Sequence, residues 1–116
     1  MTDTGESAAV VARFGAAWAA HDLETALSMI TDDCVFEATG PAPDGVQHKG
    51  ADDIRLAWKA IFDDTNSRFE VEDSFASGDR VIERWTYSWD GGHIRGVDLF
   101  RVRDGKVSEK FAYVKG

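Results

Sequence analysis

Apolar residues recur at helical spacing in the first half of the chain. Residues 6–20 place Phe14 and Trp18 on one apolar stripe, as in a helix that buries a single face. Asp22 is a suitable N-cap for a second, shorter helix. After a loop that holds both prolines, residues 51–64 show the same spacing. The pattern therefore predicts three helices that bury one face each.

The second half of the chain alternates between apolar and polar residues, which is typical of β-strands. Short turns rich in Gly and Asp separate the alternating segments, and two shorter segments of this kind lie before the third helix. The predicted strands are residues 34–39, 46–49, 68–76, 80–89, 93–103 and 106–115. Helices followed by an antiparallel meander predict a single α+β domain over residues 1–116, with the helices on one face of a mainly antiparallel sheet.

One acidic residue lies on the apolar side of a predicted strand. Asp98 shares its face with Ile94, Phe100 and Val102. A charged carboxylate that is buried without a partner costs several kcal/mol, so such a group must be paired, hydrogen-bonded or protonated. Asp98 is therefore either a buried structural acid or a group with a chemical role, and it is the leading candidate for a site residue.

The turn before this strand predicts which residues face Asp98. With Gly91-Gly92 as a two-residue turn, the facing pairs are Trp85 with Asp98, Tyr87 with Gly96, and Glu83 with Phe100. An indole against a carboxyl group in an apolar place would raise the pKa of the acid, which could then donate or accept a proton. Glu83 shares this face and is the natural proton partner. Gly96 would leave space for a ligand opposite Tyr87.

The register of the last strand is open to two interpretations. A two-residue turn at Asp104-Gly105 would direct Phe111 and Tyr113 toward the same face, and we prefer it because both residues match an apolar surface. A bulged turn would shift the register by one residue and direct the alternate set there instead. That set is Ser108, Lys110, Ala112 and Val114.

Composition and charge argue against several classes of partner. The formal net charge of −8 disfavours nucleic acid and anionic lipid. No apolar run is long enough to cross a membrane, and residues 1–7 lack the order of a signal peptide. Cys34, the single cysteine, reads as a small core residue and permits no internal disulfide. We therefore expect a cytoplasmic protein with neither a nucleic-acid nor a membrane partner.

The histidines show no metal-ligand spacing. His21, His48 and His93 fall at a helix junction, in a loop and in a turn, so we expect neither a metal site nor a cofactor. His48 lies near the predicted mouth of the cavity. There it could assist proton transfer, or it could be an ordinary residue of a surface loop.

Beyond these patterns, three sequence segments of the chain are distinctive. They read HDLETALSMITDDCVFEATG, HKGADDIRLAW and GVDLFRVRDGKVSEKFAYVKG. These segments and the order of the elements resemble the nuclear transport factor 2-like superfamily, in particular its ketosteroid isomerase-like and SnoaL-like branches. The resemblance implies three helices on a strongly curved sheet that forms a conical barrel around an apolar cavity, and it implies a homodimer. It implies no single reaction, because this scaffold hosts isomerases, cyclases, epoxide hydrolases, dehydratases and non-catalytic domains.

A match to the steroid isomerases of that superfamily retains part of their site. Their general-base Asp falls on Ala38, and their two tyrosines fall on Phe14 and Trp58. Their second oxyanion-hole group, an Asp that stays protonated, falls on Asp98. The late carboxylate of the SnoaL-type cyclases falls within residues 112–114, which contain no acid. Neither of these two mechanisms is therefore complete in this chain.

These observations predict a cofactor-independent enzyme that acts on a small apolar or aromatic carbonyl compound by acid/base chemistry. Isomerisation, cyclisation and dehydration through an enol are the expected reaction classes. Two alternatives remain: a cavity that holds a hydrophobic ligand without turnover, and an oligomerisation domain that assembles through its outer sheet face. The predicted catalytic residues are Asp98 and Glu83, and the predicted ligand-binding residues are Phe14, Trp18, Trp58, Trp85, Tyr87, Phe100 and Tyr113.

Overall fold

The structure, a computed structural model, describes residues 3–116, which form three helices and six strands. The helices are α1 (Thr4–Ala19), α2 (Leu23–Ser28) and α3 (Ala51–Asp63). The strands are β1 (Ile30–Glu37), β2 (Gln47–Lys49), β3 (Arg68–Ser77), β4 (Arg80–Trp89), β5 (Gly92–Arg103) and β6 (Lys106–Val114). Each predicted element is present, although β1 begins earlier than the alternation indicates. None of the helices in residues 3–116 has the length and apolar character needed to span a bilayer.

Side chains that precede the first two helices determine where those helices begin. The carboxylate of Asp3 accepts a hydrogen bond from the backbone N–H of Glu6 at 2.7 Å. Asp22 accepts one from the backbone N–H of Thr25 at 3.2 Å, which confirms the predicted N-cap of α2. His21, between the two helices, adopts a φ of 55° and reverses the chain there.

The strands of the described region form one mixed sheet in the order β2-β1-β6-β5-β4-β3. β1 runs parallel to β6, and the other neighbouring pairs are antiparallel. α1 packs on β3, β4 and β5, and α3 packs on β1 and β2. The predicted α+β fold is therefore confirmed. The sheet is an open one rather than a closed barrel, since β2 and β3 form its two edges within residues 3–116.

The β4–β5 hairpin turns at Asp90 and Gly91, because Trp89 pairs with Gly92. Gly91 adopts the positive φ of 95° that this turn requires. The predicted turn at Gly91-Gly92 was wrong, and the observed register differs from the predicted one by two residues. The facing pairs are Glu83 with Asp98, Trp85 with Gly96, Tyr87 with Ile94, and Val81 with Phe100. Because side chains alternate with a period of two, this shift changes the partners but leaves every side chain on its predicted face.

The β5–β6 hairpin contains a bulge. Val102 pairs with Val107, whereas the next pair is Arg101 with Glu109, so Ser108 is the extra residue on β6. The turn at Asp104-Gly105 has two residues, as preferred, because Arg103 pairs with Lys106. Beyond Val107, however, the preferred register is wrong, and the strand follows the register of the bulged alternative. The set that faces the helices contains Lys110 and Ala112, and the set on the outer face contains Phe111 and Tyr113.

An aromatic cluster joins the helices to the sheet. Phe14 on α1 contacts Trp58 on α3 and Phe100 on β5, with ring centroids 5.7 and 5.8 Å apart. Trp18 lies edge-on to Trp58 at 5.4 Å. These tilted and edge-to-face arrangements are the favourable geometries for aromatic pairs. The cluster therefore forms the core, and through Trp18 it also borders a cavity.

Gly96 makes room for neighbouring protein atoms rather than for a ligand. A Cβ atom on Gly96 would lie 2.3 Å from the carbonyl oxygen of Tyr113 and 2.8 Å from Cζ2 of Trp85. The space that the sequence assigns to a ligand is therefore taken by the backbone of β6 and the edge of the Trp85 indole.

Gly96→Ala is expected to lower the free energy of unfolding by about 1–3 kcal/mol, because the added methyl group forces β5 and β6 apart. Urea unfolding measures the change. Gly40→Ala is the matched control, since a Cβ atom there meets nothing within 4 Å. Equal stability of the two variants would contradict the close approach of β6 to Gly96.

Candidate functional site

A cavity of about 410 Å³ lies between the helices and the inner face of the sheet. Its aromatic surface comes from Trp18, Phe36, Phe69, Trp85 and Tyr87. Ionisable side chains reach it at three places, from His48, Asp98 and Lys110. The volume and the mostly apolar wall are those of a small-molecule pocket.

A buried ion pair between Asp98 and Lys110 forms the floor of this cavity. Oδ2 of Asp98 lies 3.2 Å from Nζ of Lys110, and the two side chains are 1 % and 7 % exposed. Asp98 faces Ala112 across the β5–β6 ladder, so Lys110 is its diagonal neighbour on the same face. The bulge at Ser108 creates this arrangement, because an unbulged β6 would direct Lys110 outward.

Aromatic rings and a second buried oxygen surround the ion pair. Nζ of Lys110 lies 4.6 Å from the ring centre of Trp18 and 5.1 Å from that of Phe36, within the range of cation–π attraction. Oδ1 of Asp98 is buried and makes no well-aligned hydrogen bond within residues 3–116. Burial raises the pKa of the Asp98 carboxyl, while Lys110 and the nearby Trp85 indole oppose that rise.

Glu83 adds a second acid to the same cluster. It faces Asp98 across the β4–β5 ladder, is 3 % exposed, and lies next to Gly15 of α1. Burial first, and the charge of Asp98 second, raise the pKa of Glu83 to about 7, with Lys110 opposing them. One ammonium group compensates one carboxylate. The charged cluster of Glu83, Asp98 and Lys110 therefore holds an exchangeable proton near neutral pH.

The structure brings part of the predicted site together around the cavity. Four of the predicted residues line it, namely Trp18, Trp85, Tyr87 and Asp98. Three others are core residues behind it, namely Phe14, Trp58 and Phe100. Glu83 lies beside Asp98 but outside the lining. Tyr113 lies outside the cavity and is 50 % exposed, contrary to its expected placement, because the bulge reverses the faces of β6.

The preferred register of the last strand left out Lys110, the basic half of the floor. Lys110 follows from the sequence only through the bulged register, because a lysine between Glu109 and Phe111 has no distinctive signal of its own. Phe36 and Phe69 could have been found, since each occupies the apolar side of its alternating strand. His48 was considered at the cavity mouth, and the structure places it in the wall.

Groups outside this cavity offer less chemistry. A groove of about 810 Å³ on the outer face contains the ion pairs Arg103–Asp33 and Arg101–Asp79, so part of its charge is already compensated. Among residues 3–116, no three His, Cys, Asp or Glu side chains lie close enough together to hold a metal ion. Burial raises the pKa of the Cys34 thiol to about 12, so the thiol stays protonated at neutral pH.

The raised pKa of Glu83 predicts a pH-dependent stability. The folded protein keeps this carboxyl protonated up to about pH 7, whereas the unfolded chain ionises it above about 4.5. Between these values the folded state binds more protons, so the free energy of unfolding falls as the pH rises. Glu83→Gln has no carboxyl group at this position and should not show this decrease. Between pH 4 and pH 8 the free energy of unfolding of the wild type should therefore fall by about 3 kcal/mol relative to that of the variant, as measured by urea unfolding.

Glu72→Gln is the control for this comparison. Hydrogen bonds from Arg95 and Thr86 lower the pKa of Glu72 to about 2, so its carboxylate is ionised in both states above the unfolded value of 4.5. The change in the free energy of unfolding caused by Glu72→Gln should therefore be constant above the pH at which the unfolded chain ionises this carboxyl group. Parallel stability curves for the wild type and Glu83→Gln would contradict the assignment of Glu83 as a buried acid of raised pKa.

Comparison with known proteins supports a relationship over nearly the whole chain. The SnoaL-like domain family matches residues 11–110. A nuclear transport factor 2-like protein of unknown function from Mesorhizobium loti is 39 % identical, and the match covers 97 % of this chain and 93 % of that chain with a TM-score of 0.89. No curated protein matches the sequence significantly.

More distant structures share the fold. A steroid delta-isomerase from Pseudomonas aeruginosa is 19 % identical, with coverage of 100 % of this chain and 84 % of that chain and a TM-score of 0.78. An LEH-like epoxide hydrolase from M. tuberculosis is 20 % identical, with coverage of 97 % and 84 % and a TM-score of 0.75. Because the family model matches residues 11–110 and a relative is 39 % identical, the chain belongs to the SnoaL-like domain family of the nuclear transport factor 2-like superfamily.

Proposed function

We propose that the protein is an enzyme that acts on a small, apolar, carbonyl-containing compound by acid/base chemistry, in the isomerase, cyclase or dehydratase class. The observation that supports this most directly is the buried ion pair of Asp98 and Lys110, 3.2 Å apart, at the floor of an aromatic cavity. The aromatic wall suits an apolar or aromatic ring, and the floor offers a cationic donor to one oxygen atom. The proposed chemistry moves protons and requires no cofactor.

Lys110 is the group that meets the carbonyl oxygen. An ammonium group has three N–H donors, and Asp98 takes one of them. Loss of a proton beside the carbonyl group places negative charge on the oxygen, and a fixed cation in a dry site stabilises that charge more strongly than water does. Asp98 holds the ammonium group in position, so little reorganisation is needed as the charge develops.

Asp98 and Glu83 supply the exchangeable proton. Glu83 titrates near neutral pH, and Asp98 lies between it and Lys110 in the charged cluster. A proton that passes through this cluster to the oxygen converts the enolate into an enol, and its return restores the carbonyl group. Glu83 lies outside the cavity lining, so it acts through Asp98 rather than on the ligand.

The proposed reaction differs from steroid isomerisation in the origin of its base. Resemblance assigns the base position of the steroid isomerases to residue 38, which is an alanine here and lines the cavity. The likeness to a steroid delta-isomerase extends to the fold at 19 % identity. A group elsewhere in the wall must therefore remove the proton from carbon.

A binding module without turnover is the second candidate function. One observation favours it: Asp98 is 1 % exposed, and one of its oxygens already contacts Lys110. In that case the ion pair would orient a carbonyl-containing ligand, and no bond would change. Binding without chemistry separates this candidate from the enzyme.

Deuterium exchange at the α-carbons of 2-tetralone in D2O, followed by proton NMR, tests enolisation. The wild type is expected to accelerate this exchange. Asp98→Asn and Lys110→Met should each reduce the acceleration by about 10²-fold or more, which is the loss seen when a donor to a developing oxyanion is removed. Other cyclic ketones of similar size extend the test.

Folding controls accompany this experiment. Removal of one partner leaves the other buried charge without compensation, at a cost of about 3–5 kcal/mol, so Asp98→Asn/Lys110→Met is made as the charge-balanced variant. Lys106→Met, at an exposed position of β6, should behave as the wild type. Binding of the ketones without exchange would assign the protein to the binding modules. Equal exchange by the wild type and a folded Lys110→Met would refute the proposed role of Lys110.

We also propose that the protein is a homodimer, which pairs through the outer face of the sheet. Ile82, Val97 and Leu99 on this face are only partly buried, and Tyr113 is 50 % exposed. A second copy of the chain would cover this apolar surface by a self-complementary contact.

Light scattering after size-exclusion chromatography should give twice the chain mass of 12.8 kDa for the wild type. Leu99→Glu is expected to give the mass of one chain, because it places a charge in the contact. Leu56→Glu, at a side chain on α3 that is 74 % exposed, should remain a dimer. A wild type that is monomeric at all concentrations would contradict the proposed assembly.

A further inference from the structure

We propose that His48, oriented by Asp53, is the base that removes a proton from carbon in the ligand bound to this cavity. The inference rests on the proposed function and deepens it. Enolisation needs a base near the carbonyl compound, and Ala38 cannot supply one. His48 lines the same cavity as the charged floor but comes from a different edge of the molecule.

Strand pairing places His48 and Lys110 in one row of the sheet. His48 on β2 pairs with Phe36 on β1, and Phe36 pairs in turn with Lys110 on β6. Residues that pair across strands share a face, and two strand spacings separate their backbones by about 10 Å. Phe36 is the middle residue of this row, so an O=C–C–H unit that joins the ammonium group of Lys110 to the imidazole ring must lie over the Phe36 side chain.

Phe36 holds both groups in place. The imidazole ring stacks on the Phe36 ring with centroids 5.8 Å apart and planes inclined by 18°. Nζ of Lys110 lies 5.1 Å from the centre of the same ring. A flat ligand that lies over Phe36 can therefore reach the cation at one end and the imidazole at the other. The His48 side chain is 21 % exposed, so it is shielded but accessible.

Asp53 determines which nitrogen of His48 can accept a proton. Its Oδ1 lies 3.1 Å from Nδ1 of His48, and its Oδ2 accepts the backbone N–H of Lys49 at 3.2 Å. The hydrogen bond with His48 is the largest cause of the lowered pKa of Asp53, which favours the ionised carboxylate. An ionised carboxylate only accepts hydrogen bonds, so Nδ1 carries a hydrogen, and in the neutral imidazole the lone pair is then on Nε2.

The proposed step balances without a further reactant. The C–H bond beside the carbonyl group breaks, its proton goes to Nε2, and its electron pair forms a C=C bond. The electron pair of the carbonyl π-bond moves to the oxygen, where Lys110 donates a hydrogen bond. The imidazolium then lies against the Asp53 carboxylate, which stabilises it. Return of the proton to another carbon gives an isomer, and its transfer to a departing β-hydroxide gives water.

The geometry separates the tasks of two acidic residues, Asp98 in the cavity lining and Asp53 behind His48. Asp98 is 1 % exposed and holds Lys110, so it serves the oxyanion end. Asp53 is a positioning residue: it contacts His48 and the backbone of β2, and it is not part of the cavity lining. A carboxylate behind the imidazole and a cation at the far end of the ligand are thus supplied by separate elements.

Exchange of the α-hydrogens of 2-tetralone tests this assignment with His48→Gln, Asp53→Asn and Asp53→Glu. His48→Gln is expected to lower kcat by about 10²-fold or more, with little change in KM, since a base acts in the transition state. Asp53→Asn should give a smaller loss, and Asp53→Glu should restore part of it. Nitrogen-15 NMR of the imidazole should show hydrogen on Nδ1 in the wild type and a change of tautomer in Asp53→Asn.

His93→Gln is the matched control, because His93 is exposed in the β4–β5 hairpin and does not line the cavity. It should exchange as the wild type does. Full exchange by a folded His48→Gln, together with loss in Lys110→Met, would overturn the role of His48 and leave the proposed function standing. A wild type that exchanges none of the ketones overturns both. An unchanged tautomer and full activity in Asp53→Asn would remove Asp53 from the mechanism.

Discussion

The ion pair of Asp98 and Lys110 is the interaction on which the interior of this protein depends. Either charge alone among Trp18, Phe36 and Phe100 would cost several kcal/mol, and each is tolerated because the other lies 3.2 Å away. The pair exists only because the bulge in β6 turns Lys110 inward. The bulge and the buried ion pair therefore depend on each other. Without Asp98, the bulged register would bury an uncompensated ammonium group.

Glu83 lowers the free energy of unfolding relative to a neutral side chain at the same position. One cation already compensates Asp98, so ionisation of the second carboxyl opposes folding as the pH approaches the raised pKa of about 7. A glutamine, or an apolar side chain of similar volume, would fit the same place without that cost. Groups that reduce stability and are nevertheless enclosed by the core are typical of functional sites. The charged cluster thus supports a chemical role more strongly than a structural one.

Alternation predicted the faces of the strands well and their partners poorly. It placed Asp98, Glu83 and Trp85 on the inner face, because face depends only on the two-residue period. Partners depend on the turn, and the adjacent glycines Gly91 and Gly92 allow two equally simple turns. The bulge at Ser108 has no local signal, and an apolar outer set misled the choice, since Phe111 and Tyr113 face outward. The pattern therefore directed Lys110 to this face only in its alternative register, although Lys110 is the partner of the residue that the pattern identified.

The wall of the cavity opposite the floor was predicted only in outline, as a short strand over residues 46–49 with His48 near the cavity mouth. β2 has three residues, too few for alternation to define a face, and it follows a loop with two prolines. Its position comes from tertiary hydrogen bonds: the N–H of Ala38 binds the carbonyl of Val46 at 2.9 Å, and Asp53 binds both Lys49 and His48. One carboxylate at the start of α3 thus fixes the backbone of the strand and the orientation of its imidazole. A side chain on a short edge strand of this kind can change with less effect on the core than one on a central strand.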